Sequence, residues 1–196
     1  MIDYDLSHVP TEWLTLNLTP GTSQPLSLYR PVLALTITRD DQVLVCVRDP
    51  KTNPVHPNVL SAPTIRTHGI GTTSIVNGAE ELLFWKLGLT EDQAWSLLPD
   101  PRWMTWQGHS LIGTLDGQPV TYPLTMVNAH IETTLDFPES TDAYSWIGWV
   151  QREAFIKAVE SRDITALGVE LDTDPVLYGL CTHSTSAMLK SLGDHA

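Results

Sequence analysis

A chain of 196 residues is long enough to bury a substantial core and short enough to fold as one domain. Hydrophobic residues make up 42% and charged ones 17%, a balance that excludes an intrinsically disordered chain. With 23 acidic against 11 basic residues the net charge is −12. Such a surface repels phosphate backbones, so nucleic acid is not an expected partner.

Residues 1–30 read as an irregular arm, broken by Pro10, Pro20, Gly21 and Pro25. Within it, Trp13, Leu14, Leu16 and Leu18 are candidates for a short strand or a packing anchor. From Pro31 the pattern sharpens. Residues 32–38 are apolar and partly β-branched, residues 39–42 (Arg-Asp-Asp-Gln) form a polar turn, and residues 43–48 make a second strand. Cys46 lies inside that second strand and reads as a small core hydrophobe. With Cys181 as the other cysteine, the chain has neither a disulfide framework nor zinc-ligand spacing.

Pro50, Pro54 and Pro57 make residues 49–58 a loop, and residues 59–63 a short extended piece ending at Pro63. A glycine-containing loop, residues 68–73, leads into a helix over 74–87. Ile75, Ala79, Leu82, Leu83 and Leu87 follow helical spacing, and Gly88 stops the helix. Thr90 is the expected N-cap of a second helix over 91–98. Strands are expected at 103–106, 110–115 and 120–131, with Asp116-Gly117 turning the last two into a hairpin. A further strand over 144–150 runs into a helix over 151–161. A last helix spans 174–192, with Pro175 in its first turn.

No basic leader with an apolar stretch opens the chain, and no run approaches the ~18 apolar residues of a spanning helix. The expectation is a cytoplasmic protein without a membrane partner.

This order of elements resembles the Nudix hydrolase superfamily. Residues 79–89, Ala-Glu-Glu-Leu-Leu-Phe-Trp-Lys-Leu-Gly-Leu, resemble the end of the Nudix box, where Leu-Gly-Leu closes the helix. Residues 56–63 resemble the strand that leads to the family's Pro-Gly-Gly turn, and residues 146–167 its late strand and helix. The resemblance implies an α/β fold of the α+β type, a mixed sheet sandwiched between helices. It implies one domain over 31–196 that includes the C-terminal helix, preceded by the arm.

The departures from the family pattern carry the functional reading. Anchored on Gly88-Leu89, the box places its arginine at Glu81 and its first helix carboxylate at Leu82. The paired carboxylates fall at Trp85 and Lys86, the opening glycine at Thr67 and the loop glutamate at Thr73. None of the acidic positions is kept. Cleaving a diphosphate linkage needs Mg²⁺ to neutralise phosphate and activate water, and Mg²⁺ takes oxygen ligands, usually carboxylates. Residues three and four apart share a helix face, which here would carry Leu82, Trp85 and Lys86. On that reading tryptophan fills the metal's space and lysine repels the cation.

Glu80 and Glu81 are the candidate replacements, although as neighbours they diverge by about 100° around a helix. A strand residue such as Glu132 or Asp116 would have to complete their site. Arg48, at the end of the second strand, and Arg66, after Pro63, are the candidates to grip phosphate or carboxylate. His56, His68 and Trp85 join them as candidate ligand contacts. The set Trp85, Trp103, Trp106, Trp146 and Trp149 is first of all expected to be core mass. Cys181 and His183 are expected on different faces of one helix, which argues against a nucleophile–base pair.

Three functions remain. One is a Nudix-like domain without ordinary Mg²⁺-dependent hydrolysis that binds a nucleotide-like or other small ligand, with no cofactor. Another is an active hydrolase of a diphosphate substrate that uses Mg²⁺ and displaced carboxylates. The third is a scaffold or regulatory protein. A homodimer is compatible with the resemblance.

Overall fold

The computed structural model describes residues 3–5, 31–52, 58–67, 72–98, 104–115, 118–171, 175–177 and 180–193. Most of the arm, His56, His68, Trp103 and the Asp116-Gly117 turn lie outside the described residues, as do the side chains of 106–115 and 118–125. Strand β1 is Asp3–Asp5, β2 Val32–Arg39, β3 Gln42–Arg48, β4 Leu60–Ser61 and β5 Thr64–Arg66. Helix α1 is Thr72–Glu81, continued by a π-helical turn at Leu82–Lys86, and α2 is Glu91–Ser96. Then come β6 Met104–Leu115, β7 Gln118–Glu132, β8 Tyr144–Gln151, α3 Arg152–Ser161, a 3₁₀ turn at Ile164–Leu167 and α4 Leu180–Gly193.

The eight strands form one mixed sheet. Its central feature is a hairpin that opens. Strands β2 and β3 pair only beside their turn, at Thr38↔Val43 and Arg39↔Gln42. Beyond it β2 pairs with β7 in parallel and β3 with β8 in antiparallel fashion. The short segment β4–β5 bridges the gap: Ser61 and Leu60 pair with Cys46 and Val47 of β3, then Thr64–Arg66 pair with Val32–Ala34 of β2. Pro63 sits at the crossing and accepts from the Leu35 N–H at 2.9 Å. A proline there has no N–H to lose, which suits the point where a strand changes partners.

At β2 and β3 both faces of the sheet are buried, which is why these strands read as continuous apolar runs. Leu33, Leu35, Ile37, Leu44 and Cys46 face a core shared with Ile75, Ala79, Leu82, Leu83 and Leu87 of the first helical segment. Val43, Val45 and Val47 face a second core with Phe155, Ala158, Val159 and Leu189. Each buried Val, Leu, Ile or Phe among them contributes roughly 1.5–3 kcal/mol relative to exposure. The helix-sandwiched mixed sheet expected from the sequence is the observed architecture.

Several elements differ from expectation. Residues 104–115 form one strand rather than two, paired residue by residue with β7. The first helix changes pitch: the Leu87 N–H reaches the Leu82 carbonyl, five residues back, at 3.0 Å. It ends as expected at Gly88, whose φ of +72° is glycine's region. The last helix begins at Leu180, not 174. Val176 donates to the Asn58 carbonyl and accepts from the Leu60 N–H, at 2.9 and 3.1 Å. A backbone so engaged by an extended segment is not available to a helix, and Pro175 lies outside it. Strand β1, from within the arm, adds a parallel edge to β6.

Candidate functional site

The opening between β2 and β3 ends at Arg48 on one side and Arg66 on the other, with Thr64 between them. Thr64 is buried and is the meeting point of three side chains. The Arg48 guanidinium donates through Nη2 to the Thr64 hydroxyl at 2.8 Å. The Lys86 ammonium donates to the Thr64 carbonyl at 3.1 Å. The phenol of Tyr144, buried on β8, accepts from the Thr64 N–H at 3.1 Å. Tyr144 is thereby anchored, and burial pushes its phenol far up, so it is neutral near pH 7.

Lys86 reaches Thr64 because the π-helical turn rotates the last residues of the segment. Leu82 and Leu83 are fully buried, whereas Trp85 is 73% exposed. The expected single face of Leu82, Trp85 and Lys86 is therefore split: leucine enters the core, lysine lies half-buried against β5, and tryptophan points to solvent. Trp85 is therefore not core. The Lys86 carbonyl also accepts from the Thr141 hydroxyl at 2.7 Å, tying the turn to the segment before β8.

Among the described residues neither Arg48 nor Lys86 has an acidic side chain within ion-pair distance. Burial holds the Lys86 pKa below its ordinary value, Arg48 lowers it further, and Glu81 opposes both. Arg66 is exposed, and its charge, like that of Arg48, acts on the thiol of Cys181 in α4. Burial outweighs both and raises that thiol, as it raises Cys46. His183 is exposed while Thr182 and Ser184 are buried, which puts His183 on the solvent side of α4.

The acidic candidates lie elsewhere. Glu80 and Glu81 line a hollow of about 310 Å³ with Asn77, Phe84, Trp85 and Glu91. Phe84 meets Trp85 edge to face at 4.7 Å between ring centres. The carboxylate that joins Glu80 and Glu81 is thus Glu91 of α2. Glu132 is exposed at the C-terminal end of β7, opposite Thr38 beside the β2–β3 turn, six residues along β2 from the Val32↔Arg66 pair, roughly 20 Å at strand rise. Among the described residues no group of three or more His, Cys, Asp and Glu side chains is placed to hold a metal ion. A Mg²⁺ ion needs clustered oxygen donors. The groups converging on Thr64 are a guanidinium and an ammonium, so they do not fit one.

Sequence reasoning named Arg48 and Arg66 but treated Lys86 only as a loss, and it missed Thr64 and Tyr144. No local signal marks Thr64; only its position at the strand crossing gives it three charged or polar neighbours.

No family model matches the chain and no curated protein does. Solved structures do. The chain is similar to the dihydroneopterin triphosphate pyrophosphohydrolase of E. coli, at 13% identity and a TM-score of 0.49, over 86% of this chain and 99% of that one. It is similar to a MutT protein of Methanosarcina mazei, at 11% identity and a TM-score of 0.48, over 88% and 99%. A Nudix hydrolase of Nitrosomonas europaea matches at 15% identity and a TM-score of 0.45, over 84% and 90%. Among the described residues, no helix is long and apolar enough to cross a membrane.

Proposed function

We propose that this chain is a Nudix-like domain that has lost ordinary Mg²⁺-dependent diphosphate hydrolysis and binds a small anionic, nucleotide-like ligand at Arg48 and Lys86. One observation carries the reading: a guanidinium and an ammonium meet on Thr64, at 2.8 and 3.1 Å, with no acidic side chain in ion-pair distance among the described residues. Arginine offers a planar fork suited to phosphate or carboxylate, and lysine a compact point charge. In a chain of net charge −12, two cations held together locally define where an anion is attracted.

Thermal unfolding with a panel of nucleoside mono- and diphosphates tests the reading. A ligand at about 100 times its Kd adds about 2.7 kcal/mol to stability. For a chain of this size that raises Tm by roughly 5–10 °C. Arg48→Ala should abolish the shift. Failure of every compound to raise Tm would favour the scaffold reading.

A second reading rests on the hollow lined by Glu80, Glu81 and Glu91, whose carboxylates would have to draw together around a metal ion. It is a hydrolase working through displaced carboxylates. Phosphate release that requires Mg²⁺ or Mn²⁺ and disappears in Glu80→Gln or Glu81→Gln would establish it and sink the first.

A further inference from the structure

We infer that the Arg48–Lys86 pair stands in for a divalent cation, so that the site takes its phosphate- or carboxylate-bearing ligand metal-free and Mg²⁺ opposes binding. The inference rests on the anion-binding reading above and adds the ionic form of the ligand.

Donor accounting supports it. Among the described residues Arg48 spends a single side-chain hydrogen bond, on the Thr64 hydroxyl, and Lys86 a single one, on the Thr64 carbonyl. A guanidinium and an ammonium each carry further N–H donors. Thr64 itself is held by the Tyr144 phenol and by the β2–β5 ladder, so the two cations are seated on a fixed residue rather than on a loop tip.

Electrostatics supports it next. The charged groups that act on Lys86 are Arg48, from β3, and Glu81, from α1. Glu81 is exposed and lines the separate hollow, so water screens it. Two half-buried like charges with no buried counter-ion among the described residues carry an unfavourable interaction that an anion relieves and a dication worsens. A phosphate already chelated by Mg²⁺ arrives with much of its charge neutralised, and its metal would face two cations. The free anion gains from both.

The test is calorimetric titration of the full chain with ADP and, separately, with inorganic pyrophosphate. Each is measured in EDTA and in Mg²⁺ in excess over ligand, with KCl matching the ionic strength. The expected result is a Kd at least tenfold weaker in Mg²⁺. In Lys86→Met, affinity in EDTA should fall at least tenfold, and the Mg²⁺ penalty should shrink. Arg66→Ala, which keeps Lys86 and Arg48, should retain the Mg²⁺ penalty whatever its effect on affinity. A Kd unchanged or tightened by Mg²⁺ would overturn this inference while leaving anion binding intact. Absence of binding by either compound under both conditions would overturn the anion-binding reading, and this inference with it.

Discussion

Lys86 and Arg48, 38 positions apart in the sequence, converge on one residue: lysine bonds the carbonyl of Thr64 and arginine its hydroxyl. The pairing joins the end of the first helical segment to the end of β3 through the strand that crosses between them. Its consequences differ for binding and for stability.

Thr64→Val keeps the shape of the side chain and removes the hydroxyl. Arg48 then loses its partner, and a hydrogen bond to a charged group contributes about 1.5–3 kcal/mol. Ligand-induced stabilisation should weaken, while the Lys86 contact, made to the backbone, survives. Comparing Tm shifts of Thr64→Val and Arg48→Ala with the same nucleotide measures this.

The charge on Lys86 has a pH signature. Its folded-state pKa lies below the ordinary 10.5, through burial first and Arg48 second. Between the two values the unfolded chain binds more protons, so stability rises with pH there and falls as pH drops through the folded value. Wild-type Tm should therefore gain on that of Lys86→Met as pH climbs from 7 toward about 10. A constant difference would show that Lys86 is not uncomfortable in its charged form.

His130 acts in the acid range. Its Nε2 lies 2.8 Å from the Thr38 hydroxyl, and burial lowers its pKa from 6.5, with Glu132 opposing and Arg152 adding. The stability tied to neutral His130 is present above pH 6.5 and lost as pH falls through its depressed folded value. Between about pH 7.5 and 5.5, wild type should lose more Tm than His130→Gln in parallel unfolding scans.

Gly78 sets how closely α1 lies on the sheet. A Cβ there would stand 2.6 Å from the Thr67 Cγ2 and 3.7 Å from the Ile65 Cγ2. Gly78→Ala should cost about 1–3 kcal/mol by overpacking, despite alanine's better helix propensity. Denaturant unfolding checks the sign. Because α1 leads into Lys86, anion affinity should fall as well.

The buried polar face beneath α4 offers a sharper loss. Asn128 accepts from the Thr36 hydroxyl at 2.9 Å and donates to the Ser184 hydroxyl at 3.1 Å. Asn128→Leu strands both hydroxyls at about 1–3 kcal/mol each. The paired changes Thr36→Val and Ser184→Ala should recover part of that loss, which equilibrium unfolding of single and combined variants would reveal.

Much of the architecture was legible because it rests on local chemistry. The β2–β3 hairpin follows from two apolar runs around Arg-Asp-Asp-Gln, the end of the π-helical turn from Gly88, and the second helix from Thr90, which forms a full capping box with Gln93. What failed locally failed for tertiary reasons. Pro175 suggested a helix start, but Asn58 and Leu60 claim the backbone at Val176. Trp85 read as a filler at helical spacing, but the π-helical turn breaks that spacing and leaves it exposed.

The same division holds at the site. The sequence by itself determined which charges are available: Lys86 closes the first helical segment ahead of Gly88, and Glu80 and Glu81 precede it. Only the tertiary structure decided their company. The opening of β2 from β3 puts Thr64 within reach of both Arg48 and Lys86, and α2 brings Glu91 to Glu80 and Glu81 in a separate hollow. Residue type is written in the chain, but the distance between charges is set by how strands part and helices turn.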